Sequence, residues 1–437
     1  MNNQMQDHMA EATRLTREGR LNEATALIQR ALGGIPAPAA TPYAPQGPGS
    51  ANNPIEVDFQ IVDEAPQAAP AGRRTPHGPA AATQPAHALH PGKLGKPSSP
   101  GGLPGGLPGG LPGGLPGGLL GAQTGVPTPT VSAGGQFVER SYTDVAGSRG
   151  YKLYVPSGYS GQAVSLVVML HGCTQNPDDF AVGTHMNTLA ERDTFLVAYP
   201  AQARNANMNG CWNWFKDADQ QRGRGEPSLI AGITHQIIEE YHVDAGRVYV
   251  VGMSAGGAMA AIMGDTYPDL YAAIGVHSGL APGAAHDFSS AFAAMQNGGP
   301  ATVRRDTPII ADTQIVPTIV FHGDRDTTVH PRNGDQLLAH YAANTSSSRN
   351  ATSGSAPPAK VRQGQVTGGH AYTHTTYLEA GGSPVMERWS IHGLGHAWSG
   401  GSSPGSYTDP KGPDASEEMV RFFDQHARPA STVRSTN

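Results

Sequence analysis

Residues 247–257 read RVYVVGMSAGG, a valine-rich strand that runs into a serine among small residues and then into a predicted helix. The stretch contains G-x-S-x-G, in which Gly252 and Gly256 lie two residues on either side of Ser254. A serine on so sharp a strand-to-helix turn has a strained backbone and an exposed hydroxyl, and side chains at the two glycines would collide with it. A simple tight turn is the alternative, because the motif also recurs by chance. The flanking strand and helix favour a nucleophilic serine.

Strands and helices alternate between residues 135 and 428, which predicts an α/β fold with a mostly parallel sheet flanked by helices. Several predicted strands are apolar nearly throughout, as expected for strands buried on both faces. The strands read RGYKLYVP, VSLVVML, TFLVAYP, RVYVVGM, AAIGVHSG, TIVFHG, AYTHTTYLE and VMERWSIHG. Helices are predicted at Ser228–His242, in SAGGAMAAIMGDTYP, and at Ala415–Ala427. We therefore assign residues 135–428 to a single catalytic domain.

The remaining segments have other compositions. Residues 1–33 carry apolar positions at helical spacing around a central Glu-Gly-Arg, which predicts a small helical hairpin that docks on a partner or forms a solvated leader. Residues 34–134 are rich in Pro, Gly and Ala and include four LPGG repeats, so we expect a disordered linker. Residues 429–437 are predicted to be a disordered tail.

Charge and hydropathy exclude several classes of partner. The formal net charge is -6 and no long basic run occurs, which argues against nucleic acid as the main partner. No stretch has the roughly 18 to 20 consecutive apolar residues of a membrane-spanning helix. The first 21 residues lack the charged, apolar and small-residue order of a secretory signal.

A serine hydroxyl becomes a nucleophile only when a base takes its proton, and the base needs an orienting carboxylate. TIVFHGDRDTTVHP places Asp324 and Asp326 in a loop after a predicted strand, and GLGHAWSGG places His396 in a glycine-rich loop after another. The spacing H-G-x-x-D selects Asp326 as the carboxylate, with Asp324 as a residue that caps the loop. The other histidines are interpreted as structural or exposed, and we expect no metal site and no cofactor.

Catalysis of this kind also needs two backbone N–H groups that bind a developing oxyanion. One is expected from Ala255, and the other from Cys173 in LHGCTQN, with Thr174 as the alternative. The sequence leaves open whether Cys173 and Cys211 form a disulfide or are two free buried thiols. Three tryptophans are candidate walls of an apolar substrate pocket, with a role in the core as the alternative: Trp212, Trp214 and Trp398.

Several motifs together resemble a known family. LHGCTQN, CWNWF, RGRGEPSLIAG, VDAGRVYVVGMSAGGAMAAIM, VHSGLA, VFHGDRDTTVHP, GLGHAWSGG and GSYTDPKGPDASEEMVRFF are similar to the poly(3-hydroxybutyrate) depolymerase esterases, and the likeness covers about Gln136 to His426. These are α/β-hydrolases, and the family includes feruloyl and acetylxylan esterases. The resemblance implies a triad of Ser254, Asp326 and His396, an oxyanion N–H from Cys173 and a bridge from Cys173 to Cys211.

The resemblance also implies a function and a location. It predicts a serine esterase of short-chain polyhydroxyalkanoates or their oligomers, with feruloyl or acetylxylan esters as the alternative. A function of another class is a protein that binds a polymer granule or a partner through its hairpin while the hydrolase domain is passive. An extracellular location follows from the resemblance, and a cytoplasmic location is the alternative because no signal peptide is visible.

Overall fold

The computed structural model describes residues 128–299, 316–343, 359–379 and 381–428. The predicted hairpin at 1–33, the linker up to residue 127 and the tail at 429–437 lie outside the described residues. Within them, no helix has the length and apolar character needed to cross a bilayer.

A ten-stranded sheet forms the centre of the described residues, in the order β1-β2-β4-β3-β5-β6-β7-β10-β9-β8. Its strands are β1 Gln136–Asp144, β2 Gly147–Val155, β3 Val164–Leu170, β4 Leu196–Pro200, β5 Val243–Met253, β6 Ala273–His277, β7 Thr318–Gly323, β8 Ala359–Gln365, β9 Ala371–Leu378 and β10 Pro384–Ile391. The six strands from β4 to β10 in this order are parallel, and two antiparallel strands extend the sheet on each side. The predicted mostly parallel sheet is confirmed.

Seven helices in the described residues connect or cover the strands. They are α1 Pro177–Thr184, α2 Met186–Asp193, α3 Gly225–Glu240, α4 Ala255–Thr266, α5 Phe288–Asn297, α6 Arg332–Ala343 and α7 Ala415–Asp424. A short pair, β11 Trp398–Ser399 and β12 Thr408–Asp409, lies apart from the main sheet. The predicted α3, α4 and α7 are present, with ends that differ by at most three residues.

Two hydrophobic clusters cover the two faces of the sheet. Residues of α3, α4 and α6 pack with one set of strand side chains, and residues of α1, α2 and α7 pack with the other. In β5 the alternation is direct, because Val248 and Val250 face the first cluster while Tyr249 and Val251 face the second. Burial on both faces explains why the central strands are almost wholly apolar.

Candidate active site

Four neighbouring strands end at the same edge of the sheet. The chain leaves β5 at Ser254, β6 ends at His277, and the loops after β7 and β10 carry Asp326 and His396. These strands are adjacent and parallel in the order β5, β6, β7, β10. The carboxyl ends of parallel strands are the usual location of ligand sites in α/β sheets. Three residues selected from the sequence therefore lie on loops at one edge.

Ser254 occupies the strained turn that its motif predicts. Its φ of 55° and ψ of -119° lie in a region that residues with a side chain rarely adopt. A Cβ at Gly252 would lie 2.0 Å from the carbonyl oxygen of Gly256, and one at Gly256 would lie 2.0 Å from that of Leu170. The Ser254 N–H donates to the carbonyl of His277 at 2.9 Å, which fixes the turn against the next strand. Only glycine at both positions permits this turn.

Asp326 and His396 are brought together across 70 residues of sequence. His396 Nδ1 lies 2.7 Å from Asp326 Oδ2, and Asp326 Oδ1 accepts the N–H groups of Thr328 and Val329, each at 2.9 Å. His322 Nε2 lies 3.5 Å from the same carboxylate and donates to the Val329 carbonyl at 2.8 Å. Burial raises the pKa of Asp326, but the ring N–H groups of His322 and His396 outweigh it and lower the pKa below its ordinary value. The carboxylate stays ionised and orients the imidazole.

Asp324 has a separate structural role. Its carboxylate accepts the Gly393 N–H at 2.7 Å and lies 3.0 Å from His392 Nδ1. It thereby joins the loop after β7 to the end of β10. Of the two aspartates in this loop, Asp326 and not Asp324 bonds to His396.

The loop after β3 presents a free backbone N–H beside Ser254. The Gly172 carbonyl accepts from Gln175 N–H at 3.3 Å and lies 2.8 Å from His171 Nδ1. Because N–H and C=O of a trans peptide point in opposite directions, this fixes the direction of the Cys173 N–H. That N–H has no hydrogen-bond partner in the described part of the chain. A Cβ at Gly172 would lie 3.6 Å from the Ser254 Cβ, so the two loops are in contact.

Thr174 cannot supply the same group, because its N–H already donates to the Asn209 carbonyl at 2.7 Å. Cys173 and Cys211 form a disulfide. Cys211 lies two residues after Asn209, so the disulfide joins the same two loops as the hydrogen bond between Thr174 and Asn209. The expected bridge is confirmed, and the free-thiol alternative is wrong. Ala255 is the first residue of α4, where backbone N–H groups lack partners within the helix.

The buried side chain of His171 stabilises this loop through hydrogen bonds. It is fully buried, and burial lowers its pKa to about 4. Its Nδ1–H donates to the Gly172 carbonyl, and Nε2 accepts the Gln202 N–H at 3.1 Å, an arrangement that needs the neutral ring. The Trp212 indole N–H donates to the His171 carbonyl at 3.1 Å. At neutral pH the histidine that bonds the loop is therefore uncharged.

His277 lies behind the candidate site and was not selected from the sequence. It is stacked between Phe321 and Trp398, with ring centroids at 5.8 and 5.0 Å, and its Nε2 accepts the Ser399 N–H at 3.0 Å. Burial, and then the nearby His322 and His396, lower its pKa to about 3. Its only sequence signal is its position at the end of a predicted strand, in VHSG.

The three tryptophans proposed as pocket walls are core residues. Trp212, Trp214 and Trp398 are all buried. The Trp398 indole N–H donates to Ser416 Oγ at 3.2 Å, and its ring packs edge-to-face on Phe180. Their alternative role, in the core, is therefore the one observed. An indole ring with its N–H bonded internally has little surface left for a substrate.

Comparisons with known proteins identify a family for the chain. Residues 149–355 match a family described as "Esterase PHB depolymerase". Poly(3-hydroxyalkanoate) depolymerase C of Paucimonas lemoignei is 30% identical over 56% of this chain and 57% of its own length. Feruloyl esterase B of Neurospora crassa is 30% identical over 43% of this chain and 68% of its own length. The chain therefore spans little more than half of the first of these relatives.

The fold has a counterpart among solved structures. An acetyl xylan esterase from Aspergillus awamori superposes with a TM-score of 0.50 at 23% identity, over 66% of this chain and 99% of the other. At this identity the likeness shows the fold alone. The sheet order and the strand-to-helix turn at Ser254 are those of an α/β-hydrolase.

Proposed function

This chain belongs to the PHB depolymerase family of esterases, and on that premise we propose that it is a carboxylic ester hydrolase that uses a Ser-His-Asp triad. The observation that carries the proposal is the 2.7 Å contact between His396 Nδ1 and Asp326 Oδ2, on loops at the same edge of the sheet as the strained Ser254 turn. The His396 Nε2 atom has no hydrogen-bond partner among the described residues and is the nitrogen available to take the proton of the Ser254 hydroxyl.

The mechanism follows from these positions. Ser254 Oγ attacks the ester carbonyl carbon while His396 Nε2 takes the hydroxyl proton, and Asp326 holds the Nδ1–H tautomer and stabilises the imidazolium. The N–H groups of Ala255 and Cys173 bind the oxyanion of the tetrahedral intermediate. His396 returns the proton to the leaving alcohol, which forms an acyl-enzyme. Water then attacks the acyl carbon by the same route and releases the acid and the free serine.

The proposed substrates are short-chain poly(3-hydroxyalkanoate) esters or their oligomers. The relative named as a polyhydroxyalkanoate depolymerase supports this choice, because its alignment covers a larger share of this chain than that of the feruloyl esterase. Feruloyl and acetylxylan esters are the alternative, supported by relatives with those names. All three substrates contain an ester carbonyl, so the chemistry is common to them.

The location and partners are also proposals. The Cys173–Cys211 disulfide supports an extracellular or other oxidising location, because such bonds persist there and are rare in the cytosol. A role for residues 1–33 in binding a polymer granule or a partner, with a passive hydrolase domain, is the hypothesis of another class. The presence of Ser254, His396 and Asp326, with His396 bonded to Asp326, argues against a passive domain.

A direct test compares three substrates with matched serine variants. The purified protein, Ser254→Ala and Ser278→Ala are assayed on p-nitrophenyl butyrate, 3-hydroxybutyrate oligomers and methyl ferulate. Ser278 is a suitable control because it has the same left-handed backbone, with φ 49°, after the neighbouring strand, but its side chain is fully buried. We expect activity to be lost in Ser254→Ala and retained in Ser278→Ala.

The substrate order then distinguishes the alternatives. The highest serine-dependent kcat/KM on the oligomers supports the depolymerase proposal, whereas a preference for methyl ferulate assigns the protein to the cell-wall esterases. Equal activity in wild type and Ser254→Ala would refute the triad. No serine-dependent turnover of any substrate would favour the binding-protein hypothesis.

A further inference from the structure

Tyr407 has a backbone conformation that a bulky residue rarely adopts. Its φ is 52°, in the left-handed region, and its side chain is 47% exposed. The conformation is maintained by the short pair of strands, in which the Trp398 N–H donates to the Tyr407 carbonyl at 2.7 Å. Residues held in such strained conformations concentrate at functional sites, where the surrounding structure offsets the strain. Because Tyr407 is exposed, packing in the core does not explain why a tyrosine occupies this strained position.

The side chain of Tyr407 contacts His396 and the loop that carries the proposed oxyanion N–H of Cys173. Its ring lies edge-to-face against the His396 ring, with centroids 6.4 Å apart. Its hydroxyl lies 3.1 Å from Thr174 Oγ1. Thr174 uses its single hydroxyl hydrogen to donate to the Cys173 carbonyl at 2.6 Å, so the Tyr407 hydroxyl is the donor in the other contact.

These bonds fix the peptide next to the proposed oxyanion group. The carbonyl side of the Cys173–Thr174 peptide is held by the Thr174 hydroxyl, and its N–H side is held by Asn209. Tyr407 links this peptide to the loop of His396, because its hydroxyl bonds Thr174 and its ring packs on the His396 ring. Its phenol therefore spans the gap between the proposed general base and the proposed oxyanion donor.

We propose that Tyr407 is a positioning and specificity-determining residue of the esterase site. Its hydroxyl holds the Cys173 loop in place relative to His396, and its exposed ring borders the position between these two groups where the ester binds. This inference rests on the proposed function and deepens it, because it assigns a role to a residue outside the triad and the oxyanion hole.

Two substitutions separate the hydroxyl from the ring. Tyr407→Phe removes one hydrogen bond and should lower kcat about three- to ten-fold, with KM unchanged. Tyr407→Gly removes the ring and also the backbone strain, because glycine adopts a φ of 52° without cost. The glycine variant should melt at the same or a higher temperature than wild type, yet show a higher KM and a kcat/KM lower by about ten- to a hundred-fold.

A double-mutant cycle tests the hydroxyl chain itself. Thr174→Val keeps the β-branched shape and removes both hydroxyl contacts, so Thr174→Val/Tyr407→Phe should lose no more kcat than Thr174→Val alone. Thr194→Gly is the matched control for strain relief, since Thr194 has a φ of 56° before β4, at the opposite edge of the sheet. It should preserve kcat and KM.

The outcomes separate this inference from the proposed function. Wild-type kcat and KM in both Tyr407 variants, with activity still lost in Ser254→Ala, would overturn the role of Tyr407 and leave the esterase proposal standing. Additive losses in the cycle would likewise overturn the hydroxyl chain. Absence of serine-dependent activity in wild type would overturn both. A loss of kcat/KM in Tyr407→Gly without a loss of melting temperature supports positioning, because a purely structural residue would not give that pair of results.

Discussion

Removal of the disulfide between Cys173 and Cys211 should weaken the fold and the candidate site together. The bridge closes a loop with a sequence separation of 38 residues. In the chain-entropy treatment of cross-links, a loop of that size stabilises the folded state by about 4 kcal/mol at 25 °C, through restriction of the unfolded chain. Both cysteines are half-buried, so serine is a tolerable replacement at each position. We therefore expect Cys173→Ser/Cys211→Ser to lose about 4 kcal/mol of unfolding free energy.

The effect on catalysis should be smaller than the effect on stability. The substitution leaves the Cys173 backbone N–H in place, and the Thr174 N–H still donates to the Asn209 carbonyl across the same two loops. The proposed oxyanion group is then present but held less rigidly. We expect kcat to fall several-fold at 25 °C with little change in KM, because such a donor acts mainly in the transition state.

Urea unfolding followed by circular dichroism measures the free energy, and p-nitrophenyl butyrate hydrolysis measures kcat. Wild type treated with a reductant should show the same loss as the double variant, and the double variant should not respond to reductant. A change in unfolding free energy below about 1 kcal/mol would refute the entropic argument. An unchanged kcat would show that the bridge does not support the Cys173 N–H.

Three further predictions concern the site and its supports. Asp326→Asn should lower kcat about 10⁴-fold by stabilising the wrong imidazole tautomer, while Asp324→Asn should leave most of kcat; similar losses in both would contradict the assignment. Gly256→Ala should yield little folded protein, because its Cβ meets a backbone oxygen at 2.0 Å, whereas Gly395→Ala, with open space around it, should fold normally in a soluble-expression and melting assay. His171 is uncharged when folded, with a pKa lowered to about 4, so the unfolded chain binds the extra proton between pH 6.5 and 4. The stability of wild type relative to His171→Gln should therefore be complete above pH 6.5 and fall by up to about 3 kcal/mol toward pH 4, and equal urea midpoint differences at pH 7.5 and 4.5 would contradict this.

Elements with strong local signals were predictable from the sequence. The strands around Ser254 are largely apolar, and the two glycines that permit its turn are local requirements of the backbone. The edge strands β1 and β8 were missed because they are only partly buried and mix charged with apolar residues. Helices α1, α2, α5 and α6 were also missed. In α1 and α2 an unusual left-handed residue, His185, separates two short helices and interrupts the apolar period.

The candidate site likewise contains residues that could be predicted from the sequence and one that could not. Ser254, Asp326 and His396 could be selected from the sequence, because each follows a strand and has a characteristic local spacing. Tyr407 lies in the family-like motif GSYTDPKGPDASEEMVRFF but has no strand-end spacing of this kind, and its proposed role depends on a contact with Thr174, 233 residues away in sequence.

The sequence by itself determined where strands end and which residues follow them, since backbone strain, glycine and alternation act over a few residues. Only the tertiary structure decided which loops meet. The order of strands in the sheet brings Asp326 and not Asp324 to His396, joins Cys173 to Cys211, and engages the Thr174 N–H while the Cys173 N–H has no partner in the described part of the chain. The H-G-x-x-D spacing favours Asp326 in the sequence, but the contacts themselves are made by hydrogen bonds and packing between segments far apart in the chain, which a local pattern does not specify.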